Sequence, residues 1–462
     1  MTGLVLLAFF ACFLVAGFKR PFLWLLCYLY VDALTPQKIA WGLLASIPVS
    51  LIAFVAAFGG WLVMDRKDDV KVSVRQVLIV VFLVYCGLTT LMADFPTDAA
   101  EKWDWVWKSL FFAAFFPLTL RTRLRMEAAM LVVVLSVGSI AISAGMKTAL
   151  GGGGYGVLQA FVNDNSGLYE GSTLSMVAIA IIPLIIWLSR YGTIFPSDWR
   201  VKLFAVLLIF ACLMTTVGLQ TRTGLLCIVL LTAMWLRRSC HRFLLAGVFV
   251  ALAVMAIPFL PASYTQRMDT IETHQSDESA STRIAVWTWT LGYVQHKPFG
   301  GGFNSFLGNK VTLDLKDVEN DGAMTVVETT KVQDKARAFH SAYFEVLGEQ
   351  GWPGLAMWLS IHFTGLLQLE MLCRRLRKSE DARDRADHDF ASALQMAHMV
   401  CMLGAVFIGV AYQSFAFVLV GLEIALIQQR KREDGTLMRR PPGRTGARPM
   451  KPLAAPAAGD AA

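Results

Sequence analysis

Five side chains in the polar stretches of this otherwise apolar chain could do chemistry together. They are Arg222 in "LQTRTGLL", Arg267 in "SYTQRMDT", Arg283 in "STRIAVW", and Arg337 and His340 in "KARAFHSAYFEVLGEQGWPG". A guanidinium is always protonated, and its planar fork of donors matches phosphate oxygens. Arg222 stands at the junction of two hydrophobic runs, the depth at which a diphosphate headgroup meets the edge of a bilayer. The competing reading of such a residue is a snorkelling interfacial arginine. Histidine titrates near neutral pH and can take a proton from a hydroxyl nucleophile. Lys335 and Arg337 beside His340 disfavour imidazolium and so favour the basic form. The competing reading of His340 is a structural or solvated residue at a helix start. Glu345 and Glu349 follow one turn apart on one helical face, and Pro353 and Gly354 punctuate that helix near its boundary.

These residues must be positioned by membrane helices. Of 462 residues 56% are hydrophobic and only 16% charged, where soluble domains carry about 25%. Mean hydropathy is +0.54. The composition predicts an all-α, polytopic membrane helix bundle. Apolar runs near the ~20 residues that cross a bilayer fall at 3–18, 21–36, 47–64, 77–93, 105–120, 126–145, 171–189, 203–219, 224–236, 243–260, 352–372, 390–408 and 411–427. Two are short and 390–427 could be one broken helix, so the expectation is about 11 to 13 spans. The first run has its charges after the apolar core, unlike a signal peptide, and reads as a retained helix. The eight cysteines sit in or beside apolar runs without C-x-x-C spacing, which suggests packing and neither disulfides nor zinc.

The connectors sort by charge. "DRKDDVKVSVR" (65–75), "RTRLR" (121–125), "RRSCHR" (237–242), "RRLRK" (374–378) and "QQRKR" (428–432) are basic and expected on the cytoplasmic side. Alternation then puts 94–105, the glycine-rich 151–171, 220–224 and the long 261–350 outside. The expected organisation is a transmembrane bundle over 1–260, an extracytoplasmic cap over 261–350, C-terminal transmembrane helices over 351–429, and a disordered basic cytoplasmic tail over 430–462. Within the cap, Ile284, Trp287 and Leu291, with Trp289 nearby, suggest an amphipathic helix at the membrane surface. "HKPFGGGFNSF" reads as a glycine loop, and 309–336 as a mobile polar connector.

Several chemistries lack their motifs. The early outer loops hold no Asp-x-Asp and no paired carboxylates for a metal-bridged diphosphate, and the chain has no Walker loop and no G-x-S-x-G elbow. "GGGGYG" lacks the strand-to-helix setting of a phosphate cradle. The net charge of +8 resides in the tail and cytoplasmic loops and does not argue for nucleic acid. The basic tail could touch anionic lipid.

Taken in order, the motifs resemble the O-antigen ligase and O-antigen polymerase superfamily of bacterial membrane glycan transferases. "TRTG" lies between two central spans, "STRIAVW" precedes "KPFGGGFNSF", and "FHSAYFEVLGEQGWPG" enters a late helix. The N-terminal half is similar to putative O-glycosylation ligases associated with exosortase, through "LVLLAFF", "RPFLWLLCYLYVDALTPQKIAWG", "LTTLMADFP", "WKSLFF" and "FVNDNSGL". That branch usually shows Ser-Arg-Gly where this chain has Thr221-Arg222-Thr223-Gly224, and the glycine loop is slightly off the usual spacing.

The resemblance implies an inner-membrane enzyme with its site facing the periplasm. It implies transfer of a glycan from an undecaprenyl-diphosphate carrier to a hydroxyl of lipid A core, protein or a growing glycan, without metal or cofactor. On that reading Arg222 and Arg283 bind the diphosphate, Arg267 is a weaker third, and His340 is the general base. Arg337 and Lys108 are possible supports. Ligation is the leading expectation. Polymerisation of lipid-linked repeat units is the alternative, and a lipid-linked sugar transporter, for which intramembrane Glu423 would be the sign, is a second one.

Overall fold

The computed structural model describes residues 2–39, 46–67, 71–150, 167–238, 243–244, 247, 277–321 and 324–438. Arg267, "GGGGYG" and most of the span expected at 243–260 lie outside them.

The described chain is an all-α helix bundle with one small β element. Its helices are α1 (Thr2–Lys19), α2 (Phe22–Leu34), α3 (Val49–Met64), α4 (Val74–Leu91), α5 (Pro96–Thr119), α6 (Arg123–Leu150), α7 (Gly171–Tyr191), α8 (Trp199–Gly218), α9 (Arg222–Arg238), α10 (Asp277–His296), α11 (Ala342–Leu376), α12 (Ala382–Gly404) and α13 (Ser414–Met438). Five of them, α4, α6, α7, α8 and α11, are long and apolar enough to cross a membrane, and α1, α2 and α3 are shorter apolar helices. α13 continues to Met438, into the stretch expected to be a disordered tail.

Local chemistry marks the helix starts. Ser73 and Gln76 form a reciprocal capping box on α4. Asp198 accepts the Val201 amide at 2.8 Å to start α8, and Asp381 accepts the Arg383 amide at 2.7 Å to start α12. α12 sits centrally, against α7, α9, α11 and α13.

The basic connectors gather at one end of the bundle. Arg125 forks onto Asp65 at 2.6 and 2.9 Å, Arg375 reaches Asp434 at 2.6 Å, and Arg237 reaches Glu370 at 3.9 Å. Arg432 donates to the Arg121 carbonyl at 3.4 Å. α7 and α9 run toward that end, so the residues that open them, Glu170 and Arg222, belong to the opposite end.

The 309–336 stretch differs from the polar connector expected for it. β1 (Lys310–Asp321) pairs antiparallel with β2 (Met324–Lys335), from Lys310 opposite Lys335 to Asp321 opposite Met324. The apolar–polar alternation of "VTLDLK" and the β-branched run "TVV" carry the period-2 signal of a strand. α10 also differs from expectation. Val286, Thr290 and Val294 form its buried face, while Ile284 and Leu291 point outward.

The glycine loop is a clamp. α11 breaks at Gly351 (φ 66°, ψ −167°), which frees carbonyls that continued helix would have used. The loop takes them: Gly301 donates to the Gly348 carbonyl at 3.0 Å and Gly302 to the Glu349 carbonyl at 2.9 Å. Trp352 returns a bond to the Pro298 carbonyl at 2.9 Å. A Cβ on Gly351 would lie 2.1 Å from the Pro298 oxygen. Gly351→Ala is therefore expected to cost more than the ~1–2 kcal/mol of a left-handed non-glycine residue. Thermal unfolding in detergent checks this, and an unchanged midpoint would contradict it.

Candidate functional site

The turn "TRTG" fixes Arg222. Gln220 adopts a left-handed φ of 51°, which ends α8 and starts α9 at Arg222. Thr221 Oγ1 donates to Ser175 Oγ on α7 at 2.8 Å. Gly224 lets the two helices close, since a Cβ there would sit 2.9 Å from Ser175 Cβ and 2.3 Å from Thr216 Cγ2. Arg222 is thus exposed at the mouth of α9, beside the start of α7. That start is made by Glu170, whose carboxylate accepts the Ser172 and Thr173 amides at 3.3 and 2.8 Å.

Arg283 and Trp287 are one turn apart on α10. Trp287 stacks on Phe344 at 4.8 Å and donates its indole N–H to the Phe339 carbonyl at 3.0 Å. Phe339 precedes His340, so the tryptophan brings the Arg283 face of α10 to the histidine. From the other side, Asn309 closes the base of the hairpin. Its side chain accepts the Arg337 amide at 3.0 Å and donates to the Arg337 carbonyl at 2.6 Å.

His340 itself has a left-handed φ of 47°. Histidine tolerates this region better than most non-glycine residues, and such backbone strain concentrates at functional sites. The next residue, Ser341, is the N-cap of α11, and Ala342 donates to the Ala405 carbonyl at 2.8 Å.

Arg283 feels both Arg222 and Glu170, and His340 feels Arg283, Glu170 and Arg337. Partial burial, then Arg222, lowers the Arg283 pKa, and Glu170 opposes them. The imidazole of His340 stays accessible, but the protein around it removes part of its hydration. That desolvation is the main cause lowering its pKa below the ordinary 6.5; Arg283 and Arg337 add to it and Glu170 opposes. The result is an imidazole whose protonated form is disfavoured beside Arg283 and Arg337.

A second set of charges holds this region in shape. Lys102 on α5 bonds both Glu345 and Glu349 at 2.7 Å. Glu345 also accepts the Ala411 amide at 3.2 Å, and Glu349 accepts the Asn304 amide of the glycine loop at 3.0 Å. One lysine thereby ties α5, the loop and the first turns of α11. Removing one partner from such a buried set leaves uncompensated charge and costs about 3–5 kcal/mol. Lys102→Met is expected to lower stability by that order in a detergent melt, and adding Glu345→Gln and Glu349→Gln should recover part of it.

The remaining sequence candidates are placed as follows. Arg337 pairs with Asp334 at the hairpin base and contributes charge toward His340. Lys108 pairs with Asp104 at 2.9 Å and lies over Trp107, and no contact among the described residues joins it to Arg222, Arg283 or His340. Arg267 lies outside the described residues. Sequence reasoning missed Glu170 and Lys102. Glu170 precedes "GST", a helix-start pattern that could have drawn attention to it. Glu345 and Glu349 signalled a shared cation without naming it.

The fold points to a multi-pass membrane protein with an arginine–histidine cluster at one end of its bundle. Residues 203–359 match the family described as O-antigen ligase, a region that contains Arg222, Arg283 and His340. This region of the chain is thus similar to O-antigen ligases. Residues 1–193, which contain Lys102 and Glu170, match a family of unknown function (DUF5935). No curated protein matches the chain.

Proposed function

We propose that this protein is a glycan ligase that moves an oligo- or polysaccharide from an undecaprenyl-diphosphate carrier to an acceptor hydroxyl. The observation that carries this reading is the placement of Arg283 beside both Arg222 and His340, with Glu170 acting on Arg283 and His340, inside and beside the O-antigen ligase match. The basic connectors at the opposite end support a periplasmic site in the bacterial inner membrane, because such loops are retained in the cytoplasm.

In this mechanism the leaving group is already activated as a diphosphate ester. Arg222 and Arg283 hold its oxygens, and the positive N-terminal end of α9 adds to their field. His340 accepts the proton of the acceptor hydroxyl as that oxygen attacks the anomeric carbon. The bond from carbon to phosphate oxygen breaks, and the carrier diphosphate leaves with its charge on the arginines. One displacement inverts the anomeric configuration. Glu170 opposes the loss of His340 basicity caused by Arg283 and Arg337.

The test is transfer from a purified lipid-diphosphate donor in proteoliposomes. Glycan on a new acceptor supports ligation. A lengthened lipid-linked chain means polymerisation, and no transfer with movement of intact donor across the bilayer means transport. The lowered His340 pKa sets the sign of the pH profile: the base is lost on protonation, so kcat/KM should fall with acid only below pH 6.5. A decline beginning well above 6.5 would contradict that role.

A further inference from the structure

A buried polar chain crosses the bundle and is joined to the arginine cluster by no contact among the described residues. Arg75 on α4 donates to the Ile361 carbonyl at 3.1 Å and to Glu423 Oε2 on α13 at 2.7 Å. Glu423 Oε1 meets His398 Nδ1 on α12 at 2.6 Å. His398 Nε2 meets His362 Nδ1 on α11 at 2.8 Å. Arg75 is 3% exposed and the other three 0%. The chain ends at His362 Nε2, which is buried and has no hydrogen-bond partner among the described residues.

Hydrogen-bond logic assigns the protons. An ionised Glu423 only accepts, so His398 carries its proton on Nδ1. In the arrangement with both rings neutral, His398 Nε2 accepts and His362 carries its proton on Nδ1. This leaves the lone pair of His362 Nε2 without a donor. His362 borders a cavity of about 20 Å³ shared with Trp358, Cys401, Gln413 and Phe415. A site needs roughly 10–15 Å³ and a few polar partners to hold a water. Gln413 and Cys401 are the other polar side chains among its lining residues, and the Trp358 indole N–H is already bonded to the Ala411 carbonyl at 3.0 Å.

We propose that His362 Nε2 holds one water molecule in this cavity and is the open end of an intramembrane proton relay that runs through His398 to Glu423. A proton arriving on the water bonds to His362 Nε2. The Nδ1 proton of His362 passes to His398 Nε2, and that of His398 passes to Glu423. The products are a neutral water, two neutral rings and a neutral carboxyl beside Arg75, with one positive charge gained overall. The charged and titratable groups facing His362 are His398 and Cys401 of α12, Arg75 of α4 and Glu423 of α13. Cys227 of α9 stands behind Cys401, and α7 contributes only Met176 and Val177. Ion pairs that merely register helices would leave the cavity dry and the ring protons fixed.

Solid-state NMR of the full chain, with ¹⁵N-histidine in lipid bilayers, tests this. One histidine should show protonated Nδ1, bare Nε2 and a water cross-peak, all lost in His362→Gln. Acidification should move the bare nitrogen of that ring from Nε2 to Nδ1 in the wild type and not in Glu423→Gln. Gln413→Leu, which leaves both rings in place, should remove only the water cross-peak. A dry His362, or ring nitrogens unchanged over the pH range in which the protein stays folded, would overturn the proposal. The readout does not depend on glycan transfer, so failure here leaves the ligase reading intact.

Discussion

His340→Ala is expected to lower kcat for glycan transfer by about 10²- to 10⁴-fold, the range of a positioned general base. KM for the lipid donor should change little, because the imidazole is assigned to the acceptor and not to the diphosphate. Its left-handed backbone makes the choice of substitution matter. Alanine adopts that region less readily than histidine, so part of any loss could come from a shifted start of α11. His340→Asn keeps a residue suited to positive φ and removes the base. Equal losses in both variants, with unchanged melting, assign the effect to proton transfer. Full activity in His340→Asn would eliminate the general-base role.

Arg283→Ala should be the second large effect, about 10²- to 10³-fold in kcat/KM, comparable to removing one donor from an oxyanion site. Arg283→Lys keeps the charge but loses the fork and should recover only part. The variant should also report on its neighbour. Arg283 lowers the proton affinity of His340, so its removal should raise the His340 pKa. The acid limb of the residual activity should then move to higher pH. A loss of activity with an unmoved acid limb would show that the two residues do not share a site.

Much of this was legible in the chain because it depends on local signals. Hydrophobic runs gave the helices, and charge gave the common end of the basic connectors, as the Arg125–Asp65 and Arg375–Asp434 pairs bear out. The hairpin's alternating pattern was present in "VTLDLK" but was masked by the polarity of its surroundings. Partnerships across long separations were not legible. Glu349 is 247 positions from Lys102, and Glu423 is 348 positions from Arg75. Nothing in the spacing pairs such residues until helix packing brings them together. Glu423, a candidate sequence sign of a transporter, has its charge matched by Arg75. Glu170 escaped notice because a carboxylate that starts a helix looks the same whether or not arginines stand nearby.

The break at Gly351 has a consequence for the lipid around the protein. Unbroken, the 35 residues of α11 would measure roughly 50 Å, far more than a hydrocarbon core of ~30 Å. Divided, the first turns carry Glu345 and Glu349, and the stretch from exposed Trp352 onward is left to match the bilayer. The height of His340 above the acyl chains is then set by how deep that second stretch sits. On the proposed mechanism, membrane thickness becomes a dimension of the site, and hydrophobic mismatch is felt there as a change in the distance between base and diphosphate.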